Sequence, residues 1–406
     1  MKILVLNAGS SSQKSCLYEI GTRLPETLPV PLWEGSIDWT HQQGTAELKV
    51  EVQGKSIEQQ LPTSDRTAAT EQLLKTIWSG ETQVINDPSE IDLVGHRVVH
   101  GGADYQQPTL VTPEVKAAIA RLAALAPAHN PANLAGIEAI EQLLGDLPQV
   151  AVFDTAFHSQ MPLAAAVYPL PQEWIDRGIR RYGFHGISHQ YCAQRAAQLL
   201  DRPLSELRLI TCHLGNGCSL AAIRDGHSVD TTMGFTPLDG LMMGTRSGAV
   251  DPGILIHLLR QEGFSVDRLD RMLNQESGLK GVSGLSGDMR LITKAIEQGN
   301  SQAQLAFDVY LHRLRSNIGA MSASLGGVDA LVFTAGVGEN SAAVRAGACA
   351  AFEWLGLKLD VEKNQQRSPD DRDIAAADST MRVLIIHTQE DWAIAQACWN
   401  LHHTDG

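Results

Sequence analysis

Two arginines of this chain stand in surroundings where charged side chains are rare. Arg97 lies in the nearly uncharged run of residues 95–102, and Arg246 lies between Thr245 and Ser247 beside glycines. A guanidinium that is removed from water needs an anionic partner, because burying it unpaired costs a large free energy. Either arginine alone could belong to a structural Arg–carboxylate pair. Both together, beside glycine-rich turns, favour a phosphate or carboxylate ligand.

Four runs rich in Gly, Ser and Asn are predicted to be turns that follow apolar strands. They occupy residues 3–12, 209–217, 331–340 and, more weakly, 283–290. Glycine lets backbone amides approach an anion closely, and the end of a strand holds such a loop in place. One run would be weak evidence. Four of them predict a protein built around a phosphorylated ligand.

Three histidines occur in comparable places: His129, His185 and His213. A single histidine is more often structural than catalytic, and we interpret His185, which lies between two glycines, as the strongest candidate. Three further histidines are interpreted as structural: His100, His158 and His189.

Two carboxylates, Asp154 and Glu390, are predicted to follow strands. Such positions suit Mg²⁺, which keeps several waters and binds one or two carboxylates together with phosphates. Glu390 could also be a first-turn residue that the helix dipole favours, and both interpretations can hold together. Phosphoryl transfer needs such a set of groups: loops for phosphate, two arginines, an imidazole and acids for Mg²⁺. Positioning and positive charge stabilise its transition state. Neither a Walker motif nor a protein-kinase signature occurs.

Helices and strands must position these residues, and long predicted helices between strands indicate an α/β fold with helices packed on mixed sheets. With 406 residues the chain is too long for one simple core, so we expect two domains. Residues 208–223 repeat the strand, turn and strand plan of residues 2–20. A duplicated architecture with one phosphate hairpin in each copy predicts a nucleotide bound in the cleft between the copies.

Individual elements follow from turn signals and periodicity. Residues 22–62 are predicted to be an antiparallel β region, and residues 91–102 and 149–154 are predicted to be strands. Thr112 and Pro113 start a predicted helix that runs to about Ala126. Asn130 and Pro131 start the next, which Gly145 ends, and a last helix is predicted from Glu390 to Leu401.

Composition excludes some classes of partner. The formal net charge of −14 argues against nucleic acid and against an anionic membrane. The six cysteines are scattered without a Cys-x-x-Cys pair, which predicts reduced, buried thiols. We expect no signal peptide and no membrane-spanning segment, and therefore a cytoplasmic protein.

On these residues the chain resembles the acetokinase family, in the superfamily of actin-like, sugar-kinase and chaperone ATPases. Seven ordered motifs carry the resemblance and span nearly the whole chain: residues 7–12, 96–102, 153–158, 181–186, 213–217, 245–248 and 336–340. The resemblance implies duplicated ribonuclease-H-like α/β domains with mixed sheets, flanking helices and the nucleotide in the interdomain cleft. Residues 1–155 and 389–406 would form an acetate and phosphate domain closed by the C-terminal helix. Residues 156–388 would form a nucleotide-binding domain that also makes a homodimer.

The implied reaction is reversible, direct in-line transfer of the γ-phosphoryl group of ATP to acetate, giving ADP and acetyl phosphate. Mg²⁺, or Mn²⁺ in its place, would be held by Asn7 and Glu390. Arg97 would bind the substrate carboxylate, while His185 and Arg246 would stabilise the planar phosphoryl group. The family's nucleotide contacts map onto Lys14, His213, Leu214, Gly215, Asn216, Gly217, Asp288, Met289, Arg290, Gly336, Val337, Gly338, Glu339 and Asn340.

Two further roles are implied at the reacting centre. Asp154 stands where the family assigns a proton or metal role, and His129 is a secondary candidate at the acyl phosphate. Acetate is already an anion at neutral pH and needs no base, so we favour an electrostatic role for Asp154.

The family's methyl pocket maps onto Val99, Ala128, Phe184 and Pro237. Ala128 departs from the family, because many members carry a larger leucine there. Each missing methylene leaves about 0.8 kcal/mol of apolar contact unused for acetate. We therefore hypothesise that this pocket tolerates propionate better than that of a leucine-bearing relative.

Three alternatives stay open at this stage. A propionate or butyrate kinase would share the chemistry and differ only in the acyl pocket. A sugar or glycerol kinase would need a base for a hydroxyl and polar clusters for a carbohydrate. An actin-like or chaperone-type ATPase would hydrolyse ATP without a carboxylic acid, but no extra peptide-binding domain is evident from the sequence.

Overall fold

A computed structural model describes residues 1–9, 12–39, 44–63, 65–127 and 129–404. Its contacts divide the chain into two units, which we describe separately. Unit 1 comprises Met1–Ala156 with Gln389–Gly406, and unit 2 comprises Phe157–Thr388. Every described helix is too short or too polar to cross a lipid bilayer.

The described residues form eight strands in unit 1 and six in unit 2. They are β1 (Lys2–Ala8), β2 (Ser12–Glu19), β3 (Trp33–Asp38), β4 (Ala46–Val52), β5 (Lys55–Leu61), β6 (Leu93–Val98), β7 (Thr109–Leu110), β8 (Gln149–Phe153), β9 (Arg208–Leu214), β10 (Cys218–Arg224), β11 (His227–Thr231), β12 (Ala330–Thr334), β13 (Arg372–Asp373) and β14 (Arg382–Ile385).

The helices, in chain order, lie in unit 1 up to α3, in unit 2 from α4 to α14, and again in unit 1 for α15. They are α1 (Arg66–Lys75), α2 (Pro113–Arg121), α3 (Asn130–Leu144), α4 (Leu163–Ala166), α5 (Gln172–Asp176), α6 (Gly186–Leu199), α7 (Pro252–Arg260), α8 (Val266–Gln275), α9 (Gly278–Ser283), α10 (Met289–Glu297), α11 (Ser301–Leu325), α12 (Ala335–Asn340), α13 (Ala342–Ala350), α14 (Val361–Gln365) and α15 (Glu390–Thr404).

The two sheets share one plan. In unit 1 the strand order is β5-β4-β3-β2-β1-β6-β8-β7, and in unit 2 it is β11-β10-β9-β12-β14-β13. In each sheet the first strand of the hairpin, β1 or β9, pairs antiparallel with the strand after it and parallel with β6 or β12. The next pair, β6 with β8 or β12 with β14, is also parallel, and a short antiparallel strand follows at the edge. The predicted α/β fold with a duplicated architecture is therefore confirmed.

Capping signals explain where the helices of unit 1 begin and end. The Thr112 side chain accepts a hydrogen bond from the backbone N–H of Val115, and Pro113 occupies the first turn of α2. Helix α2 ends at Arg121, earlier than predicted, because a 3-10 turn follows it. Gly145 ends α3 with φ of 69°, a conformation that only glycine adopts without strain.

Two of the glycine-rich runs differ from the prediction. Residues 335–340 are not a turn but the helix α12, which begins directly after β12. Residues 283–290 follow the helix α9 rather than a strand, and Asp288 caps the next helix, α10. Only the runs after β1 and β9 have the predicted strand–turn–strand form, and Ser10 and Ser11 in the first lie outside the described residues.

Each unit has its own apolar core. In unit 1 the core includes Trp33, Ile37, Leu73 and Val94, which pack helices α1 and α3 on the sheet. In unit 2 the buried side chains of β9, β10, β12 and β14 pack against α6. All six cysteines are buried free thiols, as predicted.

Candidate active site

Five predicted site residues of unit 1 lie at one end of its sheet. Asn7 on β1 faces Lys14 on β2 in the antiparallel register, Arg97 is near the end of β6, and Asp154 follows β8 directly. Glu390 is the first residue of α15. Because β1, β6 and β8 are parallel, their carboxyl ends meet at one edge, where ligands of α/β sheets bind.

The Arg97 side chain is paired with Asp154. Its Nη2 and Nε donate to Asp154 Oδ2 at 2.6 and 3.0 Å, and its Nη1 donates to Asn7 Oδ1 at 3.3 Å. Asp154 is only 1% exposed. Burial alone would lower the pKa of Arg97, but the charges of Asp154 and Glu390 outweigh that effect and raise it. The structure thus contains the Arg–carboxylate pair that was one alternative for Arg97, and ligand binding by the same side chain stays a prediction.

Asn7 joins two carboxylates. Its Nδ2 donates to Glu390 Oε2 at 3.2 Å and to Asp391 Oδ1 at 3.0 Å. Asp391 also lies 3.2 Å from Lys14 Nζ, which lies 3.0 Å from Glu34. Burial raises the pKa of Asp391, whereas the charge of Lys14 and the Asn7 amide act to lower it. Sequence reasoning missed Asp391, although it directly follows Glu390.

This acidic group fits one kind of metal site. Within the described residues no group of three or more His, Cys, Asp or Glu side chains is placed to hold a metal ion. A dedicated protein cage is therefore not built here. The two adjacent carboxylates are ligands of the kind that Mg²⁺ prefers, and Mg²⁺ completes its coordination with water and substrate phosphates. The Asn7 amide oxygen faces Arg97, whereas its nitrogen faces the carboxylates.

Two asparagines of α3 hold the loop that follows β6. Asn133 Oδ1 accepts the backbone N–H of Val99, and its Nδ2 donates to the carbonyl of Ala8 at the end of β1. Asn130 Oδ1 accepts the backbone N–H of His100, and its Nδ2 donates to the His100 carbonyl. Asn130 is the first residue of α3, as predicted, and its side chain also fixes this loop. The loop of the predicted substrate site is thereby tied to the core.

The predicted phosphoryl-binding residues of unit 2 surround Gly217. A Cβ built on Gly217 would lie 3.4 Å from both Arg246 Nη2 and His185 Nε2. The rings of His185 and His213 stack with centroids 4.1 Å apart. Arg246 Nη1 donates to the carbonyl of Pro237 at 2.8 Å. Unit 2 therefore brings a guanidinium and two imidazoles to one glycine turn.

A cavity of about 1080 Å³ in unit 2 gathers three distant parts of the sequence. Its lining includes two residues predicted at the nucleotide phosphates, Gly215 and Asn216. It also includes most of the predicted adenosine contacts: Asp288, Met289, Arg290, Gly336, Val337 and Asn340. Thr293, Lys294 and Arg367 also line it, and sequence reasoning did not identify them. The size suits a nucleotide-sized ligand.

Gly338 and Glu339 of α12 were also predicted as nucleotide contacts, but they are not among the residues that line the cavity. Glu339 accepts the backbone N–H groups of Ala335 and Thr388 at 2.8 and 3.2 Å, so its carboxylate fixes the start of α12. Arg345, which is 2% exposed, donates to the carbonyls of Gly338 and Glu339 and to Asn364. Arg345 is a supporting residue that no sequence motif indicated.

The predicted methyl-pocket residues lie in both units. Val99 of unit 1 and Phe184 of unit 2 are buried, and Pro237 of unit 2 is partly exposed. Ala128 lies outside the described residues. His129, the secondary candidate, occupies the N-cap position of α3 and is partly exposed.

Comparison with known proteins gives one family. Residues 2–396 match the Acetokinase family. The acetate kinase of Gloeobacter violaceus is 66% identical over 401 residues, which cover 98% of this chain and 99% of that protein. The acetate kinase of a Cyanothece species is 64% identical over 406 residues, covering 100% and 99%.

Solved structures give the same result. The acetate kinase of Porphyromonas gingivalis superposes with a TM-score of 0.89 at 40% identity, covering 98% of this chain and 99% of that chain. A propionate kinase from Francisella tularensis has the same TM-score and coverage at 37% identity. The family that the seven motifs predicted is confirmed, and the chain belongs to the acetokinase family.

Proposed function

We propose that this chain transfers the γ-phosphoryl group of ATP to acetate, reversibly and directly in line, and so forms acetyl phosphate and ADP. The observation that carries the proposal is identity of 64–66% to proteins named acetate kinase over 98–100% of the chain. The enzyme is thus a phosphotransferase with a carboxyl group as acceptor. We place it in the cytoplasm.

The proposal assigns the carboxylate of acetate to Arg97 and its methyl group to Val99, Ala128, Phe184 and Pro237. A guanidinium matches a carboxylate in geometry as well as in charge. Asp154 orients Arg97 through the two hydrogen bonds to its Oδ2. This contact supports an electrostatic and orienting role for Asp154, because acetate needs no base to become a nucleophile.

ATP is assigned to the cavity lined by residues 215–216, 288–290, 336–337 and 340. Its phosphates would then extend toward Gly217, where His185 and Arg246 approach. Charge on the three equatorial oxygens of the moving phosphoryl group would be stabilised by these donors. His213 would support them at the nucleotide phosphates, Lys14 is a further phosphate contact, and His129 stays a secondary candidate.

Asn7, Glu390 and Asp391 would hold Mg²⁺, or Mn²⁺ in its place. The ion, when bound, would neutralise charge on the phosphate oxygens. The hydrogen bonds from the Asn7 amide already hold the two carboxylates side by side. Lys14 limits the negative charge of this cluster through its contact with Asp391.

A hydroxamate assay tests the function. The purified protein is incubated with ATP, MgCl₂, hydroxylamine and either acetate, propionate, butyrate or no acid, and ADP and acyl hydroxamate are measured together. We expect acetyl hydroxamate in equal amount to ADP and little ADP without acid. ATP hydrolysis that needs no carboxylic acid would contradict the proposal and favour a chaperone-type ATPase.

Propionate is a second candidate acceptor, because the Francisella propionate kinase has the same TM-score as the Porphyromonas acetate kinase. The two activities share a fold, and the acyl pocket alone separates them. The kcat/KM values for the three acids in the same assay rank them directly.

A further inference from the structure

A chain of hydrogen bonds runs behind His185 into the core of unit 2. His185 Nδ1 lies 2.9 Å from Ser219 Oγ, and the same oxygen lies 2.7 Å from His189 Nε2. His189 Nδ1 in turn lies 2.7 Å from Thr211 Oγ1. Thr211, His189 and Ser219 are all fully buried, so water does not compete for these contacts. The proposed function uses His185 and leaves the other three without a role.

The Ser219 hydroxyl group links the two imidazoles and has a single proton to donate. If it points to His185 Nδ1, that nitrogen accepts, and a neutral His185 carries its proton on Nε2. Ser219 Oγ must then accept from His189 Nε2–H, and His189 Nδ1 accepts from the Thr211 hydroxyl. Every donor in the chain then points outward, and the last N–H is that of His185 Nε2 beside Gly217.

The neighbouring His213 has the same arrangement. The Thr388 hydroxyl donates to Ser188 Oγ at 3.0 Å, and Ser188 Oγ lies 2.8 Å from His213 Nδ1. If Ser188 donates its own proton to His213 Nδ1, the neutral ring is protonated on Nε2. In both stacked rings, His185 and His213, a serine hydroxyl thus approaches Nδ1 from the core side.

We propose that Ser219, His189 and Thr211 are positioning residues that fix His185 as the neutral Nε2–H tautomer, so that it presents a hydrogen-bond donor to a phosphoryl oxygen. The identity of that oxygen rests on the proposed function. The tautomer of His185 does not depend on the proposed function. Ser219 and His189 are fully buried and act only through His185.

The electrostatics of His189 agree with this role. Burial, and then the neighbouring His158 and His213, hold the pKa of His189 well below 6.5. A ring that stays neutral has one N–H to give and one lone pair to accept, which the chain requires. A protonated His189 would have to donate at both nitrogens, and its hydrogen bond with Thr211 would reverse direction.

The test reads the tautomer by nitrogen NMR of the full-length protein with ¹⁵N-labelled histidine, without substrate. His185 is assigned by comparison with His185→Gln. We expect His185 protonated on Nε2 in the wild type and a mixture of tautomers in Ser219→Ala. Ser228→Ala is the matched control, because Ser228 is equally buried and bonds to His158 at 2.7 Å but not to His185. It should leave the His185 signals unchanged.

Kinetics give the second readout. Loss of the fixed donor should lower kcat of Ser219→Ala about tenfold while KM for acetate and ATP changes about twofold or less. Should Ser219→Ala not fold, the isosteric Thr211→Val removes the first donor and should also mix the tautomers. An unchanged Nε2–H tautomer in either folded variant overturns the inference. A tautomer change without any acyl phosphate formation in the wild type overturns the proposed function alone.

Discussion

At the scale of single residues, Arg97, to which we assign the acetate carboxylate, is also part of a structural ion pair. Three of its nitrogens donate to Asp154 and Asn7. These contacts fix the guanidinium plane before any ligand arrives, so little rotamer entropy remains to be lost on binding. In a variant without Arg97, the buried Asp154 would therefore lose the guanidinium with which it is paired in the structure. A loss of binding and a loss of stability must therefore be separated by experiment.

The first prediction separates the two arginines. Arg97→Ala should raise KM for acetate about tenfold or more and lower the thermal unfolding temperature, whereas Arg246→Ala should mainly lower kcat by a similar factor. Steady-state kinetics and thermal melts measure both. Arg208→Ala is the control, since Arg208 pairs with Asp329 at the surface and touches no candidate site residue. Normal turnover in both test variants would contradict the assignment.

The second prediction concerns the acyl pocket. If Ala128 leaves room beside the methyl group, Ala128→Leu should raise the kcat/KM ratio of acetate over propionate. A leucine adds three carbons at about 0.8 kcal/mol for each one buried, and excluding the larger acid adds to the effect. The comparison uses the hydroxamate assay with both acids in wild type and variant. An equal ratio in the two proteins would refute a role for position 128.

At the scale of elements, local patterns predicted strands and helix caps but not the structure of every glycine run. The hairpins after β1 and β9 follow from apolar residues that end in Gly and Asn. Helix α12 could not be predicted, because two glycines among its six residues disfavour a helix. Side-chain contacts stabilise it: Glu339 accepts the N–H groups of Ala335 and of the distant Thr388, and Arg345 binds the carbonyls at its end. The hydroxyls behind His185 were missed because only the folded unit brings Ser219 of β10 and His189 of α6 together.

The third prediction uses His158, which lies between β11 and the loop before α6. It bonds to Ser228 Oγ and to the Phe184 carbonyl, and burial lowers its pKa to about 4. Unfolded histidine titrates near 6.5, so between these values the unfolded chain binds the extra proton. The stability that His158 provides is full above pH 6.5 and is lost as the pH falls, by about 1.4 kcal/mol for each pH unit at most.

Urea unfolding at pH 7.5, 6.5 and 5.5 measures this effect. The free energy of unfolding of His158→Gln should be lower throughout, and it should fall less between pH 6.5 and 5.5 than that of the wild type. His227→Gln serves as control, because His227 is exposed. Parallel curves for wild type and His158→Gln would show that the buried ring does not set the slope.

At the scale of the whole molecule, the last helix returns to the first sheet. Helix α15 belongs to unit 1 although unit 2 precedes it in the chain. Its Ile394 and Cys398 pack on β6 at Gly95, where an added Cβ would lie 2.6 Å from Cys398 Sγ. A glycine in the middle of β6 thus lets the helix approach closely. The apolar stripe predicted this helix, but only the family resemblance placed it with residues 1–155, because no local pattern tells which sheet a helix covers.

The last prediction concerns assembly. We expect a homodimer through unit 2, because no residue of α7 is buried while Ile254 and Ile256 are each 49% exposed. A second copy of the chain would cover apolar side chains that α7 exposes. Light scattering after gel filtration should give twice 43.9 kDa for the wild type, and Ile254→Glu or Ile256→Glu should shift the mass toward 43.9 kDa. Val266→Glu is the matched control, since Val266 is 73% exposed at the start of α8. A monomeric wild type, or a dimer that survives both α7 changes, would show that this face does not join two copies.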